Sequence, residues 1–177
     1  MPDINFTNLL ALAAWGAVMA DPLAPQPDAG KYPGQLVEVR GSSMFPLIAP
    51  GTELWLLKGY YADHLPRRRD LVAYRYAGNK APLIKLALGL PGDQWSLKED
   101  QGFYRIILNG KALNNSAGRE YRIPIGSAKR LKLYCQTYPT IPQDAYLLLG
   151  DDPGGSLDGT AFGLVHRQDF AGKIVRK

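Results

Sequence analysis

Cysteine and histidine are nearly absent. One cysteine, Cys135, and two histidines, His64 and His166, occur in 177 residues. A single thiol excludes an internal disulfide, and so small a set is too poor for the usual cysteine- or histidine-based zinc sites. Neither metal nor cofactor is expected. There is no internal repeat, no low-complexity tract and no long run of one charge. The net charge of +5 is modest. Its tightest cluster, Arg67-Arg68-Arg69, is followed at once by Asp70. No aromatic residues interleave with it as they would on a strand-binding face, so a nucleic-acid partner is not expected. Long apolar runs are also missing. The longest, residues 9–20, falls short of the roughly 20 residues that span a bilayer. Residues 1–20 read as a short apolar or helical segment, a membrane anchor or an export signal ending at Val18-Met19-Ala20. An amphipathic or buried helix fits nearly as well, because Met1 to Asn8 carries Asp3 and no basic residue.

Glycine and proline, by contrast, are plentiful, at 19 and 14 residues, and scattered. This favours many short strands and turns in a chain long enough for one sizeable core. Residues 21–34, rich in Pro, Asp and Gly, read as an extended linker. Strands are expected at 35–40, 53–58, 71–76, 82–88, 103–108, 131–135 and 145–149, with 173–176 closing the sheet. The strand at 131–135 would carry Cys135 as a small core residue. Asn109-Gly110 is the strongest hairpin signal. The fold is mainly β, with helix expected only near the N-terminus.

Two residues carry candidate chemistry. Ser43 lies in Gly41-Ser42-Ser43-Met44-Phe45-Pro46. Gly41 permits a tight approach of the backbone and Pro46 fixes the chain beyond, so the turn can expose the Ser43 hydroxyl and its N–H. Lys85 lies in the apolar run Leu83-Ile84-Lys85-Leu86-Ala87-Leu88. Alternation puts Leu83, Lys85 and Ala87 on one face, and a lone lysine there normally points to solvent. If buried, its amine is driven towards the neutral form and can take a proton from serine. A third segment, residues 149–163, is dense in Gly, Asp and Ser. It lacks the ligand spacing and closing glutamate of a calcium loop. His166, soon after Asp158, offers a histidine-based alternative for activating Ser43.

In their joint order these segments resemble the type I signal peptidase family, Ser-Lys endopeptidases of peptidase family S26. Ser43-Met44-Phe45-Pro46 is similar to the nucleophile box, Arg69-Asp70-Leu71-Val72 to the Arg-Gly-Asp box, and Ile84-Lys85 with Gly89-Leu90-Pro91-Gly92-Asp93 to the lysine box. Gly150-Asp151-Asp152 through Ser156-Leu157-Asp158 and Phe162-Gly163 resembles the final box. The resemblance implies an antiparallel β catalytic domain over 35–177 with a variable β insertion at about 94–143. It implies Ser43 as nucleophile and Lys85 as general base, with the Ser43 N–H in the oxyanion hole. Ser156 would orient Lys85, and Asp158 would support the loop. Gly41 and Ser42 would shape the nucleophile turn, and Met44, Phe45 and Pro46 would face substrate or membrane, with lipid contact extending over 45–48. Thr160 stands where the family has arginine, which would remove the ion-pair partner of Asp158, and Asp152 replaces an asparagine. The implied activity is cleavage of signal peptides from exported preproteins after small residues, of the Ala-x-Ala type. The implied location is membrane-associated and extracytoplasmic (periplasmic), in contact with lipid. A conjugation-type peptidase that processes pilin precursors is the alternative within the family. A LexA-like self-cleaving regulator and a non-catalytic β module are the alternatives outside it.

Overall fold

The computed structural model describes residues 21–24, 29–76, 79, 81–154 and 156–177. The expectations for residues 1–20 lie outside the described residues. Among the described residues the strands form two antiparallel sheets. The larger has the order β1-β2-β11-β3-β4-β9-β10. Its strands are β1 (Gly34–Glu38), β2 (Glu53–Lys58), β3 (Leu71–Tyr74), β4 (Leu83–Gly89), β9 (Ala145–Leu149), β10 (Val165–His166) and β11 (Phe170–Arg176). The smaller comprises β5 (Trp95–Asp100), β6 (Phe103–Leu108), β7 (Lys111–Ala112) and β8 (Arg122–Pro124). Among the described residues three α-helices accompany them: α1 (Tyr60–Asp63), α2 (Lys129–Thr137) and α3 (Gly159–Phe162).

The residue pattern explains the layering. β3 and β9 are apolar throughout and every residue in both is buried, as in strands covered on both faces. β2 alternates, with Leu54 and Leu56 inside and Glu53 and Trp55 outside. β6 and β7 are joined at Asn109 (φ 49) and Gly110 (φ 79), the two left-handed positions that a tight hairpin demands. β5 to β8 and α2 leave and rejoin the larger sheet through a paired neck. There, Gln94 bridges Thr140, Trp95 N donates to Pro139 O (3.0 Å) and Ile141 N donates to Asp93 O (2.9 Å).

Four local expectations need correction. Residues 131–135 are helical, within α2, with Leu131 and Cys135 buried and Leu133 exposed. Helix is therefore not confined to the N-terminus. The C-terminal strand does not close the sheet. β11 lies between β2 and β3, and buried Lys173 reaches Asp70 at 2.6 Å, which also accepts from Tyr61 Oη at 3.1 Å. The start of residues 21–34 is not free linker: Leu23 is buried in the core, Arg176 N donates to its carbonyl (3.2 Å), and Asp21 pairs with Arg176. Lys85, finally, does not point to solvent.

Candidate active site

Ser43 sits in the turn between β1 and β2. Gly41 turns the chain through a left-handed φ of 72° that a β-carbon would strain. Tight turns follow, with Phe45 N donating to Ser42 O (2.8 Å) and Ile48 N to Met44 O (2.8 Å). The Phe45–Pro46 bond is cis. Met44 and Ile48 are sunk in the main core and hold the turn down, leaving Ser43 half-buried and Gly41, Ser42, Phe45 and Pro46 exposed. The expected lipid-facing stretch is therefore smaller than 45–48. Ile48 is core, Met44 faces inward, and Phe45, at 53% exposure, is the large apolar side chain left outside.

Lys85 comes from β4. One edge of that strand pairs with β3, where Lys85 opposes Val72. On the other edge, pairing with β9 begins only at Leu86. The two faces of β4 enter different cores, Leu86 and Leu88 on one side and Ala87 on the other. A lysine in such a strand has little route to solvent, and Lys85 is 3% exposed. Its Nζ lies 2.9 Å from Ser43 Oγ and 3.0 Å from the Ile84 carbonyl oxygen. Burial lowers its pKa to about 8, against the opposing pull of the Asp158 carboxylate.

Residues 150–154 and 156–160 close the site from the other side. Asp152 N donates to the Ser43 carbonyl at 3.1 Å. A β-carbon at Gly150 would run into the Ser43 carbonyl and the Ser156 hydroxyl, so only glycine allows the two segments this approach. Asp158, 2% exposed, caps α3. It accepts from Gly150 N (2.8 Å), Thr160 N (2.9 Å) and Thr160 Oγ1 (2.7 Å). Thr160 thus supplies two neutral donors to the carboxylate that the sequence left without a partner. Ser156 departs from expectation. Its Oγ is buried but has no hydrogen-bond partner among the described residues, and the hydrogen bonds of Lys85 go to Ser43 and Ile84 instead.

A cleft of about 560 Å³ runs past the dyad. Val37 and Val39 from the β1 segment, Pro82 and Ile84 from the β4 segment, and Ser43 and Lys85 all line it. A second cleft, about 580 Å³, contains His166 with Tyr61, Gln143 and Arg167 but not Ser43. The histidine-based alternative therefore has its imidazole in the wrong cleft.

A family model described as signal peptidase, peptidase S26, matches residues 31–176. The chain belongs to this family. Membership makes it a serine endopeptidase. Signal peptidase I P of Bacillus subtilis subsp. natto is 30% identical over 76% of this chain and 71% of its own length. Signal peptidase I of Bacillus caldolyticus is 28% identical over 77% and 74%, and signal peptidase IB of Staphylococcus aureus 27% over 82% and 78%. A signal peptidase I crystal structure from Enterococcus faecalis, 24% identical, covers 62% of this chain and 97% of its own with a TM-score of 0.43.

The sequence of this peptidase places Asp151 in the final box without a role for it, and does not mark the groups around it. Asp151 is fully buried. Its carboxylate accepts from Leu47 N (3.0 Å), Ser116 N (2.8 Å) and the Ser116 hydroxyl. Asn115 Nδ2 donates to the Asp151 carbonyl (2.8 Å) and Tyr121 Oη to the Gly150 carbonyl (2.6 Å). No local signal marks residues 115–121, since their partners lie about thirty residues away in the chain.

Proposed function

We propose that this serine endopeptidase works through a Ser43–Lys85 dyad and removes signal peptides from preproteins at sites with small residues before the cut. The 2.9 Å approach of Lys85 Nζ to Ser43 Oγ inside a desolvated pocket carries the reading. Neutral Lys85 takes the Ser43 proton as Oγ attacks the scissile carbonyl. The Ser43 N–H donates to no acceptor among the described residues and stabilises the oxyanion. The lysine ammonium then gives its proton to the departing amine. Water, deprotonated by the same amine, hydrolyses the acyl-enzyme and restores Ser43.

The cleft supports an extended substrate. The unpaired edge of 83–85 and the outer edge of β1 both border it, so a peptide can enter as an added strand. Val37, Val39, Met44 and Ile84 give the cleft beside the dyad an apolar lining, which suits small apolar side chains. Exposed Phe45 lies two residues after Ser43, and exposed Leu157 lies beside Asp158 on the segment that approaches the Ser43 turn; both favour work at a lipid surface, on the extracytoplasmic side where exported preproteins emerge. Among the described residues no helix is long and apolar enough to cross a membrane.

Cleavage of a preprotein with an Ala-x-Ala site, in detergent or lipid, tests the reading. Wild type should cut there, while Ser43→Ala and Lys85→Ala should each lose at least about 1,000-fold in kcat, the scale for removing one member of a nucleophile–base unit. Full activity in either folded variant would end the dyad assignment.

A further inference from the structure

The three hydrogen bonds to the Asp151 carboxylate join three parts of the chain that are distant in sequence. One donor, Leu47 N, belongs to the nucleophile turn. Two belong to Ser116, on a loop carried by the smaller sheet. That loop is built from its own residues. Asn114 bridges Glu120, Asn115 N donates to Arg119 O (2.9 Å), and Asn115 Oδ1 accepts from Ala117 N (3.0 Å) and Arg119 N (2.8 Å). Asn115 and Tyr121 each add a bond to the carbonyls of residues 150 and 151. On its other side the same stretch holds the nucleophile turn, through Asp152 N on Ser43 O and Asp151 on Leu47 N.

We propose that Asp151 and Ser116 are positioning residues. The loop of residues 114–121 clamps the 150–152 strand end, which in turn fixes the Ser43 turn against Lys85. This rests on the dyad reading for its effect on catalysis. The smaller sheet is therefore part of the catalytic scaffold, and the specificity of the clamp lies in its donor pattern. Asp151 offers acceptors only, and all its partners are donors. An amide at this position would set an N–H against one of those donors. A misplacement of even about 1 Å at a nucleophile costs on the order of 100-fold in rate.

Ser116 is exposed, so its substitutions can be made without opening the core. Wild type, Ser116→Ala, Ser116→Thr and Asp151→Asn are compared by kcat and KM on a preprotein, by thermal melting, and by amide exchange of segment 43–47. Ser116→Ala should lower kcat about 5-fold and Asp151→Asn about 100-fold, with KM within about 2-fold. Ser116→Thr, which keeps the hydroxyl donor, should restore wild-type kcat. Exchange in 43–47 should accelerate in Ser116→Ala and Asp151→Asn and not in Ser116→Thr. A kcat per folded molecule unchanged in Ser116→Ala and Asp151→Asn overturns the proposal, as does a loss that Ser116→Thr shares. If wild type leaves preproteins uncut, the substrate reading fails on its own. The exchange data still decide the clamp, since unaltered protection of 43–47 in Ser116→Ala and Asp151→Asn overturns it.

Discussion

Lys85 shows function and stability opposed in one side chain. The residue is 3% exposed, and burial brings its pKa down from 10.5 to about 8. Below pH 8 the folded protein must hold a buried ammonium, which costs on the order of 3 kcal/mol relative to an unperturbed lysine. Between pH 8 and 10.5 the unfolded chain binds the proton and the folded one does not, so stability rises with pH across that window. Lys85→Met keeps an unbranched side chain, one heavy atom shorter, and removes the charge. It should gain about 1–3 kcal/mol at pH 7, read as a melting temperature higher by several degrees, while activity is lost. A lower melting temperature would show that the bonds to Ser43 and Ile84 outweigh the buried charge. In the proposed dyad the neutral amine is the working form. Cleavage should therefore rise from pH 6 to 9 with a midpoint near 8, leaving roughly one-tenth of maximal activity at pH 7. A flat profile over that range would remove Lys85 as the base.

At the scale of elements, the short helix α3 depends on its cap. Asp158 receives the N–H and the hydroxyl of Thr160 and the N–H of Gly150, so it ties the helix start to the end of β9. Thr160→Val keeps the N–H bond and the shape but deletes the hydroxyl donor. It should cost about 1 kcal/mol, measured by denaturant melts, with kcat changed less than about 3-fold. Asp158→Ala leaves all three donors unmet and should cost more than twice as much. Element type was legible where the pattern was unambiguous. Alternation gave β1, an apolar run gave β2, and Asn109-Gly110 gave the end of β6 and its hairpin. It failed at 131–135, where five residues fit both periods. A strand would bury Leu131, Leu133 and Cys135 together, whereas α2 buries Leu131 and Cys135, four apart, and leaves Leu133 at 62% exposure. The choice was made by packing beneath the helix, which no five-residue window contains. The burial of Lys85 was hidden for the same reason, because it depends on what covers both faces of β4. Ser43 and Lys85 could be picked out by their local sequences. The clamp at Asp151 could not, since Ser116 and Leu47 meet it only through the fold.

At the scale of the whole molecule, the proposed function gives the exposed apolar side chains near Ser43 a part in how the peptidase meets its substrate. The nucleophile turn buries Met44 and Ile48 and leaves Phe45 out, and Leu157 stands exposed beside Ser156. Phe45 and Leu157 belong to the two segments that approach each other through Asp152 N and the Ser43 carbonyl. Apolar surface beside a reaction centre that takes extended peptides suits a substrate delivered at a lipid interface. Burying one phenylalanine in that interface is worth about 1.5–3 kcal/mol. Phe45→Ser should therefore weaken binding of the described domain to phospholipid vesicles by about 10-fold or more. Cleavage of a preprotein held in those vesicles should slow by a similar factor. A short soluble peptide carrying the same cleavage site should be cut within about 3-fold of the wild-type rate, because Phe45 points away from the core that fixes Ser43. Equal losses on the two substrates would assign Phe45 to the peptide cleft instead. An unchanged vesicle affinity would take the membrane out of its role altogether.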